Sequence, residues 1–223
     1  MPTLPPGGNF EYDALYDMIH TLQPDAYIHN NRHARPLPIK DVQGFEQDLP
    51  GENSTGFNTT ELCGLAMEVC MMINDNWGVN QADDNHKSTQ CLLHYLIKSA
   101  SMNANYLLNV GPTALGEILP VHVQRLHEMG AWLQVNAESI YGTRAGTITT
   151  PDGVSTRKGD VHYIHALNYK ADRVYLDNVP ETITRAALLK DGSGLKLGRA
   201  NGRVYITIPA ERRDPIDTVV KLV

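Results

Sequence analysis

With 223 residues the chain can bury one good core, or a moderate domain with a smaller one attached. It is too short for a complete eight-stranded βα barrel of about 250 residues followed by a second domain. The 19 basic and 25 acidic residues leave a formal charge of −6, and neither sign gathers in long runs, which excludes a nucleic-acid footprint and points to a neutral partner. Cys63, Cys70 and Cys91 are odd in number and lack CxxC spacing; they exclude a disulfide framework and a zinc knuckle and are read as reduced, mostly buried thiols.

Met1 to Gly8 is rich in Pro and Gly, with no basic n-region or apolar h-region, and no apolar run approaches the roughly 18 residues of a membrane span. The expectation is a soluble chain, cytoplasmic as encoded, without an export signal or a membrane partner. Leu15, Met18, Ile19 and Leu22 recur at helical spacing, so residues 14–22 are predicted as a helix that Pro24-Asp25 stops before a strand at Ala26 to Arg32. Residues 33–64, with Pro36, Pro38, Pro50, Gly51, Gly56 and Gly64, are predicted as one long irregular loop, the kind that carries function.

From Met67 the pattern has period two. Met67, Val69, Met71 and Ile73 are expected to form the face of a strand turned to covering helices, and Glu68, Cys70, Met72 and Asn74 the face turned to a barrel interior. Leu92, Leu93, Leu96, Ile97 and Ala100 predict a helix over 87–101, Tyr106 to Val110 a strand, and Pro120 opens a helix that runs to about Asn136 on Val123, Leu126, Met129 and Leu133. The order αβ, loop, βα, βα is that of a parallel α/β unit.

After Gly146 short apolar runs recur at 162–169, 173–176, 186–189, 195–197, 204–208 and 219–223, broken by Asp152-Gly153, Asp191-Gly192 and Asn201-Gly202. These are hairpin signals. The expected fold is α/β plus all-β: a partial, half TIM-like βα barrel over residues 1–146, then a small antiparallel β-sandwich over 147–223. Three parallel strands with open edges should not be stable alone, so a homo-oligomer that completes the half-barrel is expected.

Three stretches carry a family resemblance: Asn103 to Pro112 (Asn-Ala-Asn-Tyr-Leu-Leu-Asn-Val-Gly-Pro), Met67 to Gly78 ending Asn74-Asp75-Asn76-Trp77-Gly78, and Gly142-Thr143-Arg144. Together with the elements between them they cover residues 13–146 in order, and the chain resembles the α-L-fucosidases of glycoside hydrolase family 29. The resemblance implies a retaining glycosidase acting on a fucosylated oligosaccharide or glycoside, with no cofactor. It also implies a nucleophilic Asp upstream of everything in this chain.

A retaining glycosidase needs two carboxyl groups about 5–5.5 Å apart. In the family the acid/base lies in a stretch like Asp-x-x-x-x-Glu, which Asp41-Val42-Gln43-Gly44-Phe45-Glu46 matches, so Glu46 is the first choice and Phe45 is read as its apolar neighbour. Glu52, after Pro50-Gly51, is the second; Glu68, read as a buried carboxyl on its strand, is the third. The nucleophile is left open among Glu52, Asp48, Asp75 and Glu68 if this chain supplies it. By the same resemblance Trp77 packs on the sugar, and Arg32 with Asn30 and Asn31 binds its hydroxyls. Plain readings stand beside these: an exposed loop glutamate for Glu46, a core tryptophan for Trp77, a salt bridge for Arg32. The pairs His29/His33 and His86/His94 lack metal-ligand spacing and no metal is expected; GxxxxGK, GxGxxG after a strand, and Gly-x-Ser-x-Gly are absent. A non-catalytic, sugar-binding or structural chain is the alternative to the enzyme.

Overall fold

Residues 11–30, 41–56, 58, 61–169, 171–200 and 202–223 are described by a computed structural model, Asn30 through its backbone alone. The first part runs α1 (Tyr12–Leu22), β1 (His29–Asn30), β2 (Val42–Glu46), β3 (Ala66–Met72), α2 (Thr89–Ser101), β4 (Ala104–Asn109) and α3 (Pro120–Asn136). Its strands form one sheet in the order β1-β2-β3-β4, each pair parallel. Ser88 caps α2 by accepting a hydrogen bond from the Cys91 amide at 3.1 Å, and Pro120 opens α3 where its missing N–H costs nothing.

β2 corrects the long-loop expectation for residues 33–64. A five-residue strand, Val-Gln-Gly-Phe-Glu, lies between β1 and β3 and is buried along almost its whole length. Four parallel strands are therefore described rather than three. The glycine at its centre and its two amide-bearing or acidic side chains hide it from a period-two reading.

The sheet has one covered face. Phe45, Val69 and Ala104 pack with Leu49 and with Tyr95 of α2, while Ile73 joins Leu92, Leu93 and Ile97 of α2 and Met129 and Trp132 of α3. Alternation of side chains puts Gly44 and Glu46 of β2, Glu68 and Cys70 of β3, and Asn105 and Leu107 of β4 on the other face, in register across the strands. That face is open: Leu107 keeps 43% of its surface exposed. The apolar stripe of α1 is open as well, with Leu15 at 45%, Met18 at 52% and Leu22 at 73%. On α3 the buried residues are His122, Met129, Trp132 and Asn136, whereas Val123 and Leu126, expected inside, are exposed.

The second part is an eight-stranded antiparallel sheet: β5 (Arg144–Ala145), β6 (Gly153–Lys158), β7 (Val161–Ala166), β8 (Arg173–Leu176), β9 (Ala186–Leu188), β10 (Gly194–Ala200), β11 (Arg203–Thr207) and β12 (Thr218–Leu222). Its order is β5-β6-β7-β12-β9-β10-β11-β8. The sheet curls back on itself: Thr149, between β5 and β6, exchanges backbone hydrogen bonds of 3.1 and 2.9 Å with Asp177, just past β8. Ile164, Leu176, Ile206 and Val220 share the core that this encloses. Its outer face contributes Tyr163 and Val219 to the cluster around α2 and α3, so the helices lie between the two sheets. β6 was not expected from sequence; Asp152-Gly153 leads into it, and the turn of the β6–β7 hairpin comes later, with Gly159 at a φ of +59°.

Candidate active site

The carboxyl ends of parallel strands are where an α/β sheet builds its sites. Glu46 is the last residue of β2 and is 8% exposed, which replaces the expected position in a loop. Phe45, its neighbour, points to the opposite face and into the helix-side core, so it does not supply the apolar surround expected of it. The segment after Glu46 is tightly held. Asn58 accepts the Glu46 amide at 3.3 Å and donates to the Glu46 carbonyl at 3.2 Å and to Asp48 at 2.7 Å. Gln47 takes a left-handed φ of +62°, rare for a residue with a Cβ, and its amide donates to the Cys70 carbonyl at 2.9 Å.

Asp48 accepts hydrogen bonds from the amides and hydroxyls of Ser54 and Thr55 as well as from Asn58. Burial opposes its ionisation, but these donors outweigh it and hold the carboxyl below its usual value. It fastens the loop. Asp41 does the same at the other end of β2, accepting from the Ile28 amide at 2.8 Å, from the Tyr16 hydroxyl at 2.8 Å and facing His20 at 3.2 Å; the Ile28 amide is the main cause that keeps its carboxyl low.

Glu68 stands on the same face as Glu46, flanking Cys70. It is half-buried rather than buried and accepts a hydrogen bond from Asn105 at 2.7 Å. Burial, then the charges of Glu46 and Glu68, push the Cys70 thiol up to about 11, so a neutral thiol sits between two carboxylates. Glu52 is elsewhere. It lines a separate cavity of about 450 Å³ with Cys91, His94, Tyr95 and Lys98 of α2, on the helix side of the sheet. Asp75 lies in the loop after β3, hydrogen-bonded by Asn85 at 2.7 Å. Arg32 and Asn31, like His33, fall outside the described residues; Asn30 ends β1 opposite Gln43. The cysteines are free and less buried than expected, Cys63 being exposed. Among the described residues no group of three or more His, Cys, Asp or Glu is placed to hold a metal.

Trp77, in the loop after β3, is 37% exposed and belongs to none of the core clusters. Its carbonyl accepts a 2.6 Å hydrogen bond from Asn109 at the end of β4. The Asn109-Val110-Gly111-Pro112 turn crosses this loop so closely that a Cβ at Gly111 would lie 2.5 Å from the Gly78 carbonyl carbon and 2.7 Å from the Val79 nitrogen. Both are backbone atoms that no rotamer change moves. Gly111→Ala is therefore expected to lower stability by about 1–3 kcal/mol, measured as a lower melting temperature, and to displace Trp77 along with the loop. His86 and His122 stack edge to face at 5.2 Å, and burial, then His86, holds the His122 imidazole below its usual value. Sequence reasoning missed Gln47, Asn58 and this histidine pair; only a positive φ and long-range contacts reveal them.

Parallel strands with acidic and aromatic side chains at their carboxyl ends, helices on one face and a curled antiparallel sheet behind define an α/β chain with its site on a strand-end rim. The chain belongs to the alpha-L-fucosidase family, whose family model matches residues 9–138, more than half of its length. An alpha-L-fucosidase of Dictyostelium discoideum is 30% identical over 190 residues, covering 79% of this chain and 40% of the relative. The tissue alpha-L-fucosidase of Bos taurus is 37% identical over 101 residues, covering 43% and 20%. Among solved structures, alpha-L-fucosidase isoenzyme 1 of Paenibacillus thiaminolyticus superposes with a TM-score of 0.80 at 30% identity, covering 96% of this chain and 53% of that one. The chain thus spans about half the length of the relatives it matches, or less. No helix among the described residues is long and apolar enough to cross a membrane.

Proposed function

We propose that this chain is the acid/base-bearing half of a retaining glycosidase that removes terminal α-L-fucose from glycans or fucosides, with Glu46 as the general acid/base. The observation that carries this reading is the placement of a buried glutamate at the carboxyl end of a central parallel strand, on the one face of the sheet that helices leave open. Residues 1–146 are then a partial βα barrel and 147–223 a sandwich-like module behind it, with β5 reaching forward across that boundary. Among the described strand residues Glu68 is the other acidic side chain on the open face. It sits well before the strand end, hydrogen-bonded to Asn105, so the nucleophile is assigned to whatever completes the barrel around this half.

The open face, the apolar stripe of α1 and the edge of β4, which pairs only with β3 among the described residues, support such a completion; where a second copy supplies it, the nucleophile has to be one of this same sequence's carboxylates, Glu52, Asp48, Asp75 or Glu68. Light scattering combined with hydrolysis of nitrophenyl α-L-fucoside tests it. An oligomer that turns over the substrate is expected, and a stable 24.7 kDa species would overturn the assembly argument. A non-catalytic sugar-binding chain is the second reading, favoured by the span of about half the relatives' length; an assembled protein with no turnover would put it first. Both readings place Trp77 against the sugar, where the indole offers a large apolar surface to the C–H face of the ring. Trp77→Ala is expected to weaken fucose binding several-fold by calorimetry while leaving the melting temperature nearly unchanged.

A further inference from the structure

Glu46 is the last residue of β2, and the direction of its backbone decides where its side chain points. On one side β3 holds this strand end: Glu46 stands opposite Cys70, and the next amide, that of Gln47, donates to the Cys70 carbonyl at 2.9 Å. On the other side β1, as described, reaches only Asn30, opposite Gln43, and stops short of Glu46. There the Asn58 side chain takes the place of a strand. Its Oδ1 accepts the Glu46 N–H at 3.3 Å and its Nδ2 donates to the Glu46 carbonyl at 3.2 Å, the two kinds of bond that a paired strand would supply.

A side-chain amide carries an acceptor oxygen and two donor hydrogens, and the second hydrogen of Asn58 goes to Asp48 at 2.7 Å. The reversed amide would set its hydrogens against the Glu46 N–H, so only one orientation fits. The bracket is itself anchored: the Asn58 N–H donates to Asn53 Oδ1 at 2.9 Å, and Ser54 and Thr55 hold Asp48. Gln47 then turns away with its φ of +62°, so β2 ends at the residue that Asn58 brackets. We propose that Asn58 is a positioning residue for the general acid/base: by clamping both backbone groups of Glu46 it fixes that side chain beside Cys70 on the open face. Its consequence for catalysis rests on the role assigned to Glu46, and the clamp itself on the hydrogen bonds alone.

The test is a double-mutant cycle of Asn58→Ala and Glu46→Ala in the full chain, with two readouts. The first needs no turnover. Burial, then the Glu46 and Glu68 charges, push the Cys70 thiol up to about 11, so a Glu46 that leaves its place lets Cys70 alkylate at lower pH; peptide mass mapping separates it from Cys63 and Cys91, which are also free. Asn58→Ala is expected to lower that onset in the parent and to change nothing further in Glu46→Ala. The second readout is turnover of an alkyl fucoside, whose kcat should fall about 10- to 100-fold in Asn58→Ala at nearly constant KM, again with no further loss in Glu46→Ala. Asn58→Ser, which keeps a hydroxyl but cannot span both bonds, repeats the cycle with a milder change. Thr55→Val removes one hydroxyl from Asp48 and neither bond to Glu46, so it controls for a loosened loop and should keep the parent's Cys70 onset. An onset that Asn58→Ala leaves in place, or that shifts equally in both backgrounds or in Thr55→Val, overturns the clamp. Full alkyl-fucoside turnover in Glu46→Ala is a different failure, that of the acid/base reading, and the Cys70 cycle still decides the clamp.

Discussion

If the proposed function holds, Glu46→Ala is expected to lower turnover of an alkyl α-L-fucoside by about 100- to 10,000-fold, and that of a nitrophenyl fucoside far less. General acid assistance is worth that much when the leaving group needs a proton, and little when it departs as a stable anion. Azide should restore part of the second step for the nitrophenyl substrate, because it attacks a glycosyl intermediate without help from a base. Glu68→Ala and Glu52→Ala are the comparisons. Glu52 lies on the helix side, by Tyr95 and Lys98, and its replacement should leave both substrates untouched. Glu68 shares the face of Glu46 but not its strand-end position, and its loss should slow both substrates alike. A readout apart from turnover comes from Cys70, whose thiol is held at about 11 by burial and then by the Glu46 and Glu68 charges. Removing one negative neighbour makes the thiolate easier to form, so alkylation of Cys70 should begin at lower pH in Glu46→Ala. Full activity of Glu46→Ala on the alkyl substrate would remove it from the acid/base role.

The largest loss of stability is expected from His165→Leu, which leaves the wholly buried Asp217 without the ring whose Nδ1 lies 2.7 Å from its Oδ2. Breaking a buried pair from one side costs about 3–5 kcal/mol. Burial raises the Asp217 carboxyl above its ordinary value even though His165 works in the other direction. A raised carboxyl means that the folded state holds a proton which the unfolded state, titrating near 4, has already released. Its stabilising contribution is therefore complete below about pH 4 and is lost as pH rises through the folded value. Without His165 that loss steepens, so urea midpoints of His165→Leu measured from pH 4 upward should fall further behind the parent as pH increases. The double variant His165→Leu/Asp217→Leu, which replaces the pair by apolar groups, should recover much of the deficit and lose the pH dependence. A single variant as stable as the parent at neutral pH would show that the pair is not buried as described.

Periodicity made several elements legible. The alternation from Met67 to Ile73 sorted the two faces of β3 correctly, because side-chain direction along a strand is a local property with period two. The stripe of Leu92, Leu93 and Ile97 marked α2 and its buried side for the same kind of reason, with a period of 3.6. β2 was illegible. A central parallel strand is paired on both sides and needs only five residues, and its glycine and polar members acquire their burial from β1, β3 and Asn58, none of which is local to it. α1 failed in the opposite sense: its stripe is real, but Leu15, Met18 and Leu22 are left exposed, since a pattern states which face can be buried and not what is present to bury it.

The sequence by itself determined the class of fold, the family through its strand-end motifs, and Glu46 as the first carboxylate to test. Only the tertiary structure decided that Glu46 ends a strand on the open face while Glu52 lies behind the helices and Asp48 is spent on holding a loop. It also decided that Gly111 must lack a side chain, and that His165 and Asp217, both buried, meet from 52 positions apart. The reason is physical. Propensity and periodicity act over a few residues, so they specify local geometry and the faces of each element. Which carboxylates converge, and which are desolvated, depends on contacts between segments that are distant in the chain, and those exist only once the sheets have closed on the helices between them.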